Sequence, residues 1–229
     1  TQIFMKNFRF LEPIAMIFVS ILLISNVAST KIVDFGMFDF DGGTLLFPLS
    51  YIFGDILTEV YGYGRTRRII WMGFLMNIVM VLVFAAVGAL PASESWNNQE
   101  AYNSVLGMTP RIVLASMIAY TFGAFSNSYV LAKLKVKTKG KFLWLRTIGS
   151  TIVGEGLDTV IFCLISFYGV LPNELLGLVI LSNYAFKVGV EVIFTPVTYL
   201  IVDALKRLEG ADVYDKKTLF NPFRVNSNL

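Results

Sequence analysis

Six long hydrophobic stretches, separated by polar connectors, form the main pattern of this chain. Each stretch approaches the ~20 apolar residues that a helix needs to cross the hydrocarbon core of a bilayer. The pattern therefore predicts an all-α integral membrane protein with six transmembrane helices, the second short and the last two long. The predicted helices cover approximately residues 13–33, 44–62, 69–90, 111–133, 143–170 and 174–205.

Basic residues are concentrated in alternate connectors, before the first stretch and after the second, fourth and sixth. Because cytoplasmic loops are enriched in Lys and Arg, both termini are predicted to be cytoplasmic. The prediction is then a transmembrane domain, residues 1–205, and a partly disordered cytoplasmic tail, residues 206–229. We interpret the basic residues as topological anchors; they include Arg65, Arg67, Arg68, Lys133, Lys135, Lys137, Lys139, Lys141, Lys206 and Arg207.

The composition supports membrane insertion and excludes several classes of protein. Charged residues make up 15% of the chain, against about 25% in soluble domains. The absence of histidine and the single cysteine, Cys163, exclude a Ser-His-Asp triad, an HExxH zinc site and a disulfide framework. There is no Gly-x-x-x-x-Gly-Lys-Ser/Thr phosphate loop for ATP hydrolysis. We predict a membrane protein that is not an enzyme and uses no cofactor, metal or nucleic acid.

An internal repeat relates two of the stretches. The segments SYIFGDILTEV, residues 50–60, and STIVGEGLDTV, residues 150–160, share five residues without a gap, and Asp55 aligns with Glu155. A second, weaker match aligns Ser25-Asn26 with Ser126-Asn127. Chance matching of apolar helices is the alternative. A true repeat predicts two three-helix halves of inverted topology with a substrate site between them, as in many secondary transporters.

Charged residues lie inside the predicted spans, where each costs about 3 kcal/mol near the bilayer centre. Several lie three or four residues apart and so share a helical face. Two explanations remain: internal ion pairs, such as Lys187 with Glu191, or a polar cavity for a cationic or hydrogen-bond-donating ligand or for protons. The acidic surplus favours the cavity. The residues are Asp55, Glu59, Glu155, Asp158, Glu191, Arg146 and Lys187, with Lys31 closing the first span.

Uncharged residues add to this pattern. Asn183 continues the stripe of Lys187 and Glu191 at a spacing of four. Pro48 and Pro196 are predicted to kink their helices.

Four segments resemble motifs of the queuosine precursor transporters: FPLSYIFGDILTEVYGYGRTRR, NQEAYNSVLGMTPRI, LRTIGSTIVGEGLDTVIF and NYAFKVGVEVIFTPVTYLIV. The resemblance runs from about residue 26 to residue 203. It implies a six-helix inner-membrane transporter grouped with vitamin-uptake proteins. It also implies that the small-molecule substrates are 7-cyano- and 7-aminomethyl-7-deazaguanine, precursors used in tRNA modification. The other expected partner is membrane lipid.

The resemblance also suggests roles for the residues. A carboxylate accepts both donors on one edge of a guanine-like base, and Glu155 or Asp158 is our first choice. An amide or guanidinium suits the acceptor edge, and an aromatic ring suits the face. The predicted substrate-binding residues are Glu155, Asp158, Asn26, Asn183, Lys187, Arg146, Ser150 and Tyr51. The predicted coupling or gating residues are Asp55, Glu59, Glu191 and Lys31.

Other functions are compatible with this sequence. The first alternative is a substrate-binding subunit that docks to a separate ATPase, although alanine-rich docking motifs are not evident. A retinal-binding protein that uses Lys187 as a Schiff-base lysine normally needs seven helices. An intramembrane aspartyl enzyme would need a second acidic motif to match Asp55. We therefore favour a self-sufficient carrier that works by alternating access with ion or proton coupling.

Overall fold

Seven α-helices and one short antiparallel strand pair form the computed structural model, which describes residues 8–34, 39–107, 109–169, 172–216, 218, 220 and 221. The strands β1 (Ile32–Asp34) and β2 (Asp39–Asp41) place Val33 opposite Phe40, and a 3-10 turn (Gly42–Leu45) follows. The helices are α1 (Leu11–Ala28), α2 (Phe47–Tyr61), α3 (Tyr63–Gly88), α4 (Gln99–Leu106), α5 (Thr109–Lys137), α6 (Leu143–Phe167) and α7 (Asn173–Glu209).

The six predicted spans correspond to α1, α2, α3, α5, α6 and α7, whereas α4 and the strand pair were not predicted. Among the described residues, the regular structure is thus helical apart from this pair of three-residue strands. Five stretches, those that contain α1, α3, α5, α6 and α7, are long and apolar enough to cross a membrane. Helix α2 has 15 residues, and at about 1.5 Å per residue it is shorter than the ~30 Å hydrocarbon core. Six full crossings remain a prediction.

The two ends of α2 have clear local causes. Pro48 lies in the first turn, where a helix does not need its missing N–H, so the predicted kink at Pro48 is wrong and this proline starts the helix. At the other end Gly62 has φ +86°, a left-handed conformation that suits glycine. Helix α3 begins at the next residue, Tyr63.

Helix α2 lies at the centre of the bundle. Twelve of its 15 residues are buried, and it packs against α1, α3, α5 and α7. Its apolar side chains, including Ile56, Leu57 and Val60, belong to the main hydrophobic core. Because α2 is enclosed on several sides, its two acids Asp55 and Glu59 are fully buried. They therefore need partners within the protein.

The outer helices present large apolar side chains to the surroundings. On α3, Leu75 and Leu82 are 59% and 63% exposed, and on α7, Ile193 and Leu200 are both 72% exposed. A water-soluble domain rarely leaves so much contiguous apolar surface uncovered. These faces therefore suit lipid, and together with the long apolar helices they indicate a multi-pass membrane protein.

Helices α5 and α6 approach each other closely at two glycines. A Cβ atom added to Gly154 would lie 2.9 Å from the Gly123 carbonyl oxygen and 2.6 Å from Asn127 Cβ. The ring of Tyr51 from α2 lies against the same place, and its Cε1 atom would be 3.2 Å from the added Cβ atom. Small residues at both positions thus permit a close helix pair. Gly54, the repeat counterpart of Gly154, has open space beside it.

Helix α7 continues past the predicted boundary at residue 205 and ends at Gly210, whose φ is +55°. The N–H groups of Gly210 and Ala211 then bond the carbonyls of Arg207 and Lys206, a common way to end a helix. The following residues return to the bundle, and Val213 N donates to Val60 O at 3.4 Å. The described part of the tail thus packs against the bundle, and partial disorder of the tail remains a prediction.

Candidate functional site

A small cavity lies where α1, the 3-10 turn, α2, α5, α6 and α7 meet. Its volume is about 30 Å³, room for one or two water molecules. A flat two-ring base is larger than this space, so the surrounding side chains or helices must move for such a base to enter. The lining residues are Asn26, Ser29, Gly43, Thr44, Phe47, Ser116, Asp158, Thr159, Phe162, Asn183 and Lys187.

The strongest charge arrangement at the cavity joins α6 to α7. Lys187 Nζ lies 2.8 Å from Asp158 Oδ2 and 3.0 Å from Glu155 Oε2. All three side chains are buried. The three-residue spacing of Glu155 and Asp158 puts both acids on the face of α6 that meets α7. The triad carries one positive and two negative formal charges, so it keeps the acidic surplus that the sequence predicted. Lys187 pairs with these two acids rather than with Glu191.

Asn26 faces the cavity from α1 and is held by two neighbours. Its amide nitrogen donates to Asn77 Oδ1 of α3, and its carbonyl oxygen accepts from Ser116 Oγ of α5 at 3.1 Å. Asn77 in turn donates to the Gly73 carbonyl. These bonds determine which way the Asn26 amide points, so Asn26 presents a fixed polar edge to the cavity.

Two aromatic side chains form apolar walls of the cavity, Phe47 at the start of α2 and Phe162 of α6. Lys187 Nζ lies 4.7 Å from the centre of the Phe47 ring, within the range of a cation–π contact. Asn183 lines the cavity from α7, and its amide nitrogen is 4.0 Å from Cys163 Sγ. Sulfur is a weak acceptor, so this contact leaves the Asn183 amide available for a ligand.

The structure places two predicted base-binding residues away from the cavity wall. Tyr51 is buried behind Phe47, with its ring centre 5.6 Å from that of Tyr120. Ser150 Oγ donates to the Thr147 carbonyl within α6. A direct role for either side chain in binding a base remains a prediction.

Arg146, another predicted base-binding residue, belongs to a second charged centre around Glu59. Glu59 Oε1 is 2.6 Å from Lys206 Nζ, 3.2 Å from Arg146 Nη2 and 3.5 Å from Lys135 Nζ. Glu59, Arg146 and Lys135 are each at most 1% exposed. One carboxylate thus joins α2 to α5, α6 and α7. This centre lies at the end of the bundle that the basic connectors predict to be cytoplasmic.

The remaining predicted coupling residues differ in their surroundings. Asp55 accepts a hydrogen bond from Asn127 of α5, and its carboxylate also interacts electrostatically with Glu191 of α7. Asp55 and Glu191 are both buried, and neither has an ion-pair partner within 4.0 Å among the residues that the structure describes. Lys31 is exposed, beyond the end of α1. The two acids thus belong to the buried set, whereas Lys31 lies outside it.

Several site residues were missed from the sequence, and some carried a signal. Lys135 continues the face of Ser128, Leu131 and Ala132 at helical spacing, and all four are buried. Asn77 is an isolated amide in the apolar run of α3, which also marks it as unusual. Phe47 and Phe162 had no such signal, because phenylalanine is common throughout this chain.

The arrangement suits an uncharged or cationic polar ring. Carboxylate oxygens accept hydrogen bonds, the lysine and amides donate them, and the two phenylalanines offer flat apolar faces. Among the described residues, no group of three or more Cys, Asp and Glu side chains could hold a metal ion. The donors, acceptors and two phenylalanine rings suit hydrogen-bonded binding of a small planar molecule.

Comparisons with known proteins bear on this site. A family model described as "Putative vitamin uptake transporter" matches residues 41–201. The chain is 29% identical over 158 residues to a "Probable queuosine precursor transporter" of Bacillus subtilis (strain 168), covering 69% of each chain. It is 28% identical over 172 residues to the "Queuosine precursor transporter" of Escherichia coli (strain K12), covering 72% of this chain and 75% of the relative. No solved structure shows a significant match.

Proposed function

This chain belongs to the putative vitamin uptake transporter family, and we propose that it carries queuosine precursors across the membrane, namely 7-cyano- and 7-aminomethyl-7-deazaguanine. Two kinds of observation support this proposal. Relatives that align over about 70% of the chain are named for queuosine precursors. The cavity also has acceptors, donors and aromatic walls that a guanine-like ring requires.

The observation that carries the proposal is the triad of Lys187, Asp158 and Glu155 beside two aromatic rings. Asp158 lines the cavity, and its carboxylate takes the ring N–H and the exocyclic amine of the base. Glu155 keeps Lys187 in place. Lys187 then turns its ammonium toward the ring oxygen, helped by Asn26 or Asn183.

Binding requires rearrangement of the closed cavity. A base does not fit in about 30 Å³, so α6 and α7 must separate around the triad to admit it. Because the base replaces Lys187 as a partner of Asp158, its arrival weakens one of the two ion pairs between α6 and α7. Substrate binding thereby favours a different helix arrangement, which is the requirement for alternating access. The inverted repeat predicted from residues 50–60 and 150–160 would serve the same mechanism.

The buried acids outside the triad are proposed to couple transport to protons. Asp55 and Glu191 interact across α2 and α7, and two acids in a low-dielectric environment favour sharing a proton. The alternative is a substrate-binding subunit driven by a separate ATPase. Uptake by the purified protein alone, driven by an imposed proton gradient, distinguishes the two.

Ligand-induced stabilisation of the purified protein tests the binding site. We expect both 7-deazaguanines to raise the Tm, because a ligand that binds the folded state stabilises it. Asp158→Asn is expected to weaken binding roughly 10- to 100-fold, since it removes a charged acceptor from two hydrogen bonds.

Asp203→Asn is the matched control. Asp203 is an exposed acid of α7 that pairs with Arg207, and its replacement should leave base binding unchanged. Stabilisation by a vitamin but by neither deazaguanine would contradict the proposed substrate.

A further inference from the structure

The tail segment, defined as residues 211–216, 218, 220 and 221, contacts the bundle at the predicted cytoplasmic end. One of its contacts is with Lys135, a side chain 1% exposed. The Lys135 ammonium donates to the Glu59 carbonyl of α2, to Asp212 Oδ1 at 2.6 Å and to the Val213 carbonyl at 2.6 Å. An ammonium group has three donors. The tail segment therefore supplies two of the three partners that Lys135 needs to remain buried.

Asp212 extends this contact to the Glu59 centre. Its Oδ1 atom also lies 2.9 Å from Lys206 Nζ, and Lys135 and Lys206 both contact Glu59. Although partial burial opposes ionisation, hydrogen bonds from Lys135 and Lys206 hold the pKa of Asp212 below its usual range. The Asp212 side chain is 40% exposed. The tail carboxylate therefore binds at the edge of the centre, where water has access.

The next residues of the tail segment occupy the junction between α2 and α3. Val213 packs where Gly62 has no side chain, since a Cβ atom there would lie 2.7 Å from Val213 Cγ1. Asp215 Oδ2 accepts a hydrogen bond from Tyr63 N at 3.0 Å, which satisfies a free N–H in the first turn of α3. Thr218 Oγ1 holds the other oxygen of Asp215 at 2.7 Å. This junction is thus shaped to receive the segment.

An aromatic contact anchors the far end of the tail segment. The ring of Phe220 lies 5.0 Å from the rings of Tyr63 of α3 and Tyr129 of α5. Lys133 Nζ is 4.6 Å from the centre of the Phe220 ring, and Arg67 donates to the Asn221 carbonyl at 2.7 Å. The segment therefore contacts α2, α3, α5 and α7, which are all held together at this end.

We propose that this end of the bundle is a binding site for the chain's own tail segment, and that the segment must leave before a transported base can exit there. The proposal rests on the proposed transport function. Helices that open at one end must separate, and the segment contacts four helices that would do so. The largely polar contacts at its exposed edge favour a reversible interaction. Docking of the segment thus keeps this end closed, and its release permits opening.

Reversible cross-linking tests this role directly. In a Tyr129→Cys, Phe220→Cys variant, a reducible bifunctional thiol reagent ties the tail segment to α5 while the native Cys163 stays fully buried. The locked protein is expected to bind 7-deazaguanines normally but to transport them at least about tenfold more slowly. Reduction of the linker should restore the rate. Tyr129→Cys alone, treated with the same reagent, is the control.

The two readouts separate the possible failures. Transport by the locked protein at the unlocked rate overturns the gating role, and so does loss of base binding on cross-linking, because docking would then act through the cavity. Failure of the untreated protein to bind a 7-deazaguanine contradicts the proposed function instead.

A second measurement does not depend on transport or on the double cysteine variant. Limited trypsin digestion after the exposed Lys216 reports release of the tail segment, since cleavage follows the open population. Asp212→Asn is expected to speed this cleavage about fivefold, and Asp203→Asn, which alters an exposed α7 pair with Arg207, should not change it. Equal cleavage rates in the two variants would overturn the proposed docking.

Discussion

Lys187 lies between two carboxylates, at 2.8 Å from Asp158 and 3.0 Å from Glu155, in a part of the protein where isolated charges are costly. Because the triad has one more acid than base, it retains an acceptor for a ligand that brings donors. Asp158 is the acid at the cavity wall. The sequence identified both acids and the lysine, but their order around the cavity depends on how α6 faces α7. Helical spacing alone does not determine that order.

Replacing Phe47 tests whether the aromatic wall of the cavity contributes to base binding. Phe47→Leu keeps apolar volume but removes a flat face, and stacking of a base on an aromatic ring contributes about 1–3 kcal/mol. We therefore expect base affinity, measured by titration calorimetry, to fall by roughly 5- to 150-fold.

Phe125→Leu provides the matched control for Phe47→Leu. Phe125 is a buried core residue of α5, and it is not among the residues that line the cavity. Its replacement should lower the Tm without changing base affinity. Equal affinity losses in the two variants would indicate a general packing effect instead of stacking.

Asp55 and Glu59 allow a second residue-scale prediction, because two acids of one helix face have different partners. Glu59→Gln leaves buried cations without their carboxylate, which costs about 3–5 kcal/mol. Asp55→Asn preserves an acceptor for the neutral Asn127 amide and is expected to cost less than about 1 kcal/mol. Thermal unfolding in detergent measures both variants. A Tm loss for Asp55→Asn as large as that for Glu59→Gln would show that both acids are structural.

At the scale of elements, the hydrophobic pattern located every long helix but not its role. The run that became α2 has the pattern of a short membrane span, yet α2 is the central, enclosed helix. Its burial depends on α1, α3, α5 and α7 surrounding it, which is a tertiary property. The position of the tail is a tertiary property as well. Its polar composition predicts disorder, whereas its docking depends on Lys135 and the space beside Gly62.

The repeat-related glycines provide a prediction about helix packing. Gly154→Ala would put a Cβ atom 2.6 Å from Asn127 Cβ and 2.9 Å from the Gly123 carbonyl oxygen, and such overpacking costs about 1–3 kcal/mol. Gly54→Ala meets no atom within 4 Å and gains up to about 1 kcal/mol in helix propensity. Thermal unfolding should therefore show a lower Tm for the first variant and an equal or higher one for the second. The reverse order would contradict the close α5–α6 contact.

At the scale of the whole molecule, the Lys187 triad joins α6 to α7, and the Glu59 centre joins both helices to α2 and α5. The triad borders the cavity, and the Glu59 centre with the tail segment closes the predicted cytoplasmic end. A base that takes Asp158 from Lys187 weakens the first connection, and release of the tail segment weakens the second. In the proposed mechanism, transport consists of breaking these two connections in turn, and Asp55 and Glu191 are the acids proposed to exchange protons.

Uptake into proteoliposomes that contain only this protein tests the central proposal most directly. With a proton gradient imposed, we expect radiolabelled 7-cyano-7-deazaguanine to accumulate inside, and excess unlabelled 7-aminomethyl-7-deazaguanine to compete with it. At base concentrations below saturation, Asp158→Asn should reduce the initial uptake rate roughly 10- to 100-fold, whereas Asp203→Asn should leave it unchanged. Uptake by the unaltered protein no greater than that of empty liposomes, or equal uptake by Asp158→Asn, would contradict the account.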